Sequence, residues 1–197
     1  LEEAGIAYRH AVFPRYKEES SALVRLYLQG AFGTKPGDVN AFAASAFYAV
    51  DRFASYRQDW GEAYQQGGLI LCDRYTTSNA VHQAAKLPEA ERENFWHWLY
   101  EFEFDKLGLP RPDLVLYLDM PTDQSVHLLR SREEATQTHA DIHEQDTAYL
   151  AACRGAACKA AEVLGWTKIP CTKDGALRSI EEIHGDLWQR VLRTLEK

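Results

Sequence analysis

Gly68-Leu69-Ile70-Leu71-Cys72-Asp73-Arg74-Tyr75-Thr76-Thr77-Ser78-Asn79 begins apolar and turns abruptly polar at Asp73. The apolar run Leu69–Cys72 reads as a buried parallel strand bounded by glycine on one side and polar residues on the other. Asp73 and Arg74 then fall at its carboxyl end, where ligands sit in open α/β sheets. An Asp beside an Arg offers one group to a metal or a proton and one to an anionic oxygen. The alternative is a strand that simply ends in a surface salt bridge.

Upstream, Ile6–Val12 reads as a second strand, and Phe13-Pro14-Arg15-Tyr16 ends its regular pairing. Arg15 therefore lands on the same side as Asp73 and Arg74. Ser20 to Gln29 forms a short amphipathic helix with a Gly30 stop. Asp38 is placed to cap a long helix from about Val39 to Gln66, with Phe42, Ala46, Ala49, Phe53 and Tyr56 on one face. Tyr48 and Arg52 lie four apart on a neighbouring face.

Downstream, Pro88 to Leu107 is helical and rich in aromatics (Phe95, Trp96, Trp98, Leu99, Phe102), a stripe suited to core or a subunit interface. Asp113–Met120 is the next strand. Thr122 caps a helix to about Arg132, and the polar, unpatterned stretch Glu133–His139 reads as a mobile loop. A helix from about Ile142 to Leu164 follows, then a strand Thr167–Pro170. Ser179-Ile180-Glu181-Glu182 is a capping box that opens a last helix. This alternation specifies an α/β fold: a doubly wound parallel sheet flanked by helices, in one domain over residues 1–197.

The formal net charge of −7 gives no long-range field for nucleic acid, so an anionic ligand must meet local arginines. No apolar run approaches the ~20 residues of a membrane span, and no signal peptide is expected. The cysteines, Cys72, Cys153, Cys158 and Cys171, match no zinc spacing and read as reduced structural thiols of a cytoplasmic protein. Gly33-Thr34-Lys35-Pro36-Gly37 is a plain loop: it follows no strand and lacks the Gly-Lys-Ser/Thr ending of a phosphate cradle.

Arg15 and Arg74 can converge on one doubly charged anion, since guanidinium forks match phosphate oxygens. Tyr48 can stack a planar ring while Arg52 bonds its edge. Arg130 and Arg132 precede the expected loop, as in lids that carry positive charge over a transferring phosphoryl group. These features suggest a phosphate-ester or nucleotide site.

Phe13-Pro14-Arg15-Tyr16, Tyr48-Ala49-Val50-Asp51-Arg52, Asp73-Arg74-Tyr75 with Ser78-Asn79, Gly108-Leu109-Pro110-Arg111-Pro112-Asp113 and Asp141-Ile142-His143-Glu144 occur in the order and spacing found in thymidylate kinases. The chain resembles that family over nearly its whole length. The resemblance implies a P-loop kinase fold, ATP and Mg²⁺, and transfer of the γ-phosphoryl group to dTMP, giving dTDP for dTTP biosynthesis. It implies that Arg15 and Arg74 grip the acceptor phosphate as catalytic groups, with Asp73 near the metal and phosphates. Tyr48 would stack on thymine, Arg52 would reach a base carbonyl and Asn79 the base edge, with Ser78 among the substrate-binding residues. Phe13 and Tyr16 would line the pocket. His82 stands where the family often has Phe or Tyr beside the sugar. Arg130 and Arg132 would belong to a lid at about 130–145, with Glu144 at its closing edge. Members are commonly homodimers.

No Gly-x-x-x-x-Gly-Lys-Ser/Thr occurs in the 197 residues. Leu1–Gly5 reads as the last turn of a helix with a glycine cap. A preceding strand, P-loop and helix of roughly 25–30 residues are therefore expected upstream, and these residues alone are expected to be unstable or inactive. The competing expectations are a nucleotide-binding scaffold without the P-loop, and a kinase for another nucleoside or monophosphate.

Overall fold

The strands Tyr8–Val12 (β1) and Leu69–Asp73 (β2) pair in parallel, Tyr8 opposite Leu69 and Val12 opposite Asp73. The computed structural model describes residues 1–136 and 147–196. The domain expected over residues 1–197 comprises two compact units, Leu1–Pro110 and Arg111–Lys197.

Parallel neighbours need a long crossover. In the first unit it holds the helices Ala22–Leu28 (α1), Ala41–Ser55 (α2) and Gly61–Gln65 (α3). The helix expected over Val39–Gln66 is thus divided, with a π-type turn at Tyr56–Trp60. Gly61 permits that turn: a Cβ there would lie 2.3 Å from the Tyr56 carbonyl oxygen. The cap also differs from expectation. Asn40 Oδ1 accepts the Ala43 N–H at 2.8 Å, while Asp38 turns back to accept the Lys35 N–H at 3.0 Å.

The face that carries Phe42, Ala46, Ala49, Phe53 and Tyr56 is buried only in part. Phe42 and Phe53 are 44% and 39% exposed, whereas Ala41, Ala44, Ser45, Ala49, Asp51, Arg52 and Ser55 are buried. Small residues let helices approach closely, and α2 packs against α1 and against the helix Thr76–His82 (α4). The helix Glu89–Tyr100 (α5) continues as a π-type segment, Glu101–Lys106, matching the expected aromatic helix. Phe95, Trp96, Leu99 and Phe104 are its buried apolar residues. Below β1 and β2, Ala11, Phe13, Trp60, Tyr75, Phe104 and Leu109 form a continuous core. The run Leu69–Cys72 reads as a buried strand, but Leu71 is 43% exposed. The reason is that β2 pairs with β1 alone among the described residues.

In the second unit, Leu116–Asp119 (β3) and Thr167–Pro170 (β4) pair in parallel. Between them run the helices Thr122–Thr136 (α6) and Thr147–Val163 (α7). The helix α6 continues past Arg132 through part of the expected loop. Glu133, Glu134 and Ala135 favour helix, and no Gly or Pro interrupts them. The rest of that expected loop, and the expected helix start at Ile142, lie outside the described residues. Ala156, Ala157, Ala160 and Ala161 form the buried stripe of α7, which packs on β3. Two short antiparallel strands, Thr172–Lys173 (β5) and Ala176–Leu177 (β6), precede the helix Ile180–Leu195 (α8). The Ser179–Glu182 capping box is formed, with both reciprocal bonds present. Parallel strands joined through helices in each unit bear out the α/β class.

Candidate active site

The carboxyl ends of β1 and β2 position the first group of side chains. Phe13 N–H donates to the Asp73 carbonyl at 3.0 Å, extending the ladder past Val12. The chain then leaves β1 through a cis Phe13–Pro14 peptide and leaves β2 through Arg74 at φ +64°. Phe13 is buried against Tyr75, ring centroids 6.0 Å apart. Tyr75 in turn donates its hydroxyl to the Pro110 carbonyl at 3.1 Å. Burial, the largest influence, pushes the Tyr75 phenol well up, so it stays a neutral donor.

Arg15 is held from three directions. Its N–H donates to Asp51 Oδ2 at 2.8 Å, its Nε to Asp51 Oδ1 at 3.3 Å, and its Nη2 to Ser20 Oγ at 2.9 Å. Ser20 Oγ also donates to Asp51 Oδ1. The Asp51 side chain is 1% exposed and that of Arg15 16%. Such a carboxylate fixes the guanidinium plane and leaves Nη1 for a further acceptor. Asp73 and Arg74 are exposed, and the side chain of neither has a hydrogen bond or ion pair to a described residue.

A second group centres on Glu103, which is 0% exposed. Its Oε2 accepts from Arg52 Nε and Thr76 Oγ1, each at 2.7 Å. Its Oε1 accepts from Arg52 Nη2 and, at 3.2 Å, from Asn79 Nδ2. The other Asn79 amide hydrogen goes to the Ser45 carbonyl at 3.1 Å. One carboxylate thus gathers side chains from α2, α4 and the π-type segment after α5. Arg52 pairs with neither its sequence neighbour Asp51 nor Glu62.

Tyr48 is half-buried one turn before Arg52. Ser78 is half-buried beside Asn79, and His82 is half-buried at the end of α4. Tyr16 is exposed, and its carbonyl accepts Arg25 Nη1 at 2.9 Å. In the second unit Arg130 is exposed on α6, which also contains Arg132; Glu144 lies outside the described residues. Asp119, at the end of β3, accepts Arg154 Nε at 2.9 Å and has Lys168 Nζ at 3.4 Å. Among the described residues, no cluster of three or more His, Cys, Asp or Glu could hold a metal.

Glu103, Asp51, Ser20 and Thr76 have no role in the sequence reading. A signal existed for Glu103. Phe95, Leu99 and Glu103 recur at spacings of four, which places an acid on the apolar face of a helix. An acid there needs buried donors.

The chain can be set beside known proteins. A family model described as thymidylate kinase matches residues 1–184. A curated thymidylate kinase of Mycobacterium tuberculosis is 30% identical over 165 residues, covering 83% of this chain and 75% of that protein. One from Caenorhabditis elegans is 28% identical over 173 residues, covering 87% and 69%. The solved thymidylate kinase of Candida albicans superposes with a TM-score of 0.66 at 17% identity, over 98% of this chain and 83% of that one. At that identity the superposition speaks for the fold alone.

Proposed function

The chain belongs to the thymidylate kinase family, and on that premise we propose that the protein transfers the γ-phosphoryl group of ATP to dTMP, giving dTDP and ADP. The observation that carries the site reading is a pair of arginines, Arg15 and Arg74, leaving the carboxyl ends of two paired parallel strands. Phosphoryl transfer needs little covalent help. It needs two anionic groups aligned and their charge neutralised. Arg15, its plane fixed by Asp51, and Arg74 supply that on the acceptor side.

Tyr48 stacks on the base, one helical turn from Arg52. Arg52 and Asn79 bond its edge, with Ser78 and His82 alongside, Tyr16 at the mouth and Phe13 packed beneath as support. Asp73 suits Mg²⁺, which takes one or two carboxylates and completes its shell with phosphate oxygens and water. That ion would neutralise charge on the ATP phosphates. Arg130 and Arg132 are assigned to the ATP side by resemblance. A cytoplasmic homodimer is part of the same reading. The edge-on contact of exposed Phe42 with Trp98, at 4.6 Å, offers an aromatic surface for the second subunit.

A coupled assay of the full-length protein with ATP and a panel of monophosphates and nucleosides tests this. dTMP should be the best acceptor, and Arg15→Ala should cut turnover by ~10²-fold or more. Phosphorylation of a free nucleoside, with dTMP inert, would overturn it.

A further inference from the structure

Glu103 has about four lone-pair sites as a carboxylate, and four side-chain donors fill them. That saturation decides what its neighbours have left. Arg52 spends Nε and Nη2 on the fork, and Nη1 has no partner among the described residues. Asn79 spends both amide hydrogens, on Glu103 Oε1 and the Ser45 carbonyl, so only Oδ1 remains. An isolated Asn can turn its amide over. This one cannot without breaking two buried bonds. Arg52 Nη2 and Asn79 Nδ2 meet the same Glu103 oxygen, so one carboxylate ties the two side chains together and fixes which atom each has to spare.

We propose that Glu103 is a positioning residue that sets the polarity of the base-reading edge, donor from Arg52 and acceptor from Asn79, without touching the base. The proposal rests on the acceptor-site reading given above. The matching ligand edge carries a carbonyl oxygen next to a ring N–H, which is the imide edge of thymine or uracil. Cytosine presents an amino group and a bare ring nitrogen there. It would set donor against donor and acceptor against acceptor, leaving buried groups unpaired.

Glu103→Gln replaces one oxygen with an NH₂. Facing Asn79, that group favours the turned amide; facing Arg52 Nε, it breaks the fork. Either way the edge loses its fixed polarity. The measurement is kcat/KM for dTMP and for dCMP in the full-length protein and its variants. The dTMP-to-dCMP preference should fall by ~10-fold or more, chiefly through a higher KM for dTMP, because the lost interaction is uniform binding. Glu103→Asp keeps the charge beside buried Arg52 but is one methylene shorter, too short to hold all four donors. It should lower the preference too, and it serves if the Gln variant fails to fold. A folded variant with a lower melting temperature and the original preference would show that Glu103 is purely structural, and would overturn the proposal. Absence of any dTMP preference in the unaltered protein would instead overturn the acceptor-site reading, and this proposal with it.

Discussion

Asp73 and Asp119 each end a parallel strand, one in each unit, and they differ in company. Asp119 is neutralised by Arg154 and Lys168. Asp73 is exposed, with no described partner. Strand-end topology offers both carboxylates to a crevice. Only the chain's own cations decide which remains available. A carboxylate already holding two cations has little charge left for a metal, whereas a bare one keeps all of it. The contrast can be broken by parallel substitutions. Asp73→Asn should lower kcat by ~10²-fold or more with little change in melting temperature. Asp119→Asn should leave kcat within ~3-fold and cost about 1 kcal/mol of stability or less, its partners being partly exposed. Steady-state kinetics and thermal denaturation of both variants decide. Equal losses of turnover would erase the distinction.

What the sequence reveals divides along the same line. Strand ends, helix order and the Ser179 box are local patterns: a run of four apolar residues, a period near four, a capping residue and its reciprocal partner. These need only neighbours along the chain. Glu103 reaches Arg52 across 51 positions. No local spacing pairs Arg52 with Glu103, and its sequence neighbour Asp51 is already committed to Arg15. The buried face of α2 is hard to read locally for a related reason. Hydrophobicity ranks Phe42 and Phe53 inward, but close helix packing selected alanines and serines, and the buried charges found partners on other elements. Asp73 and Arg74 were legible as a motif. Their lack of partners was not, since absence of a contact has no local signature.

A second measurement sharpens the picture at β2 itself. Cys72 adjoins Asp73, and its thiol is pushed up from 9.0 to about 11, chiefly by burial, with the Arg52 charge opposing. The sign follows from proton counting. Between those values the folded protein holds the proton and the unfolded chain releases it, so stability is full below pH 9 and falls as pH rises toward 11. The loss should reach roughly 2 kcal/mol. Urea denaturation in steps from pH 8 to 10.5 reads it, and Cys72→Ala should flatten the slope. An unchanged slope in that variant would mean that Cys72 is not the titrating group.

The smallest expected effect compares two non-glycine residues with positive φ among those described, Arg74 at 64° and Asp174 at 52°. Asp174 has a local reason. It precedes Gly175, itself at φ 81°, in the turn joining β5 to β6. Asp-Gly with both φ values positive is the favoured two-residue hairpin link, and Asp tolerates that conformation. Arg74 has no such turn, and an arginine there carries strain of about 1 kcal/mol or more. Strain of this kind persists where the side chain's position is worth more to function than to folding. Arg74→Gly should therefore raise stability by about 0.5–1 kcal/mol while turnover collapses, whereas Asp174→Gly should change stability by a few tenths and leave turnover alone. Chemical denaturation with parallel assays separates the cases. If Arg74→Gly destabilised the protein, the guanidinium would be serving the fold, and the bare strand end of β2 would lose its claim to be kept open for an anion.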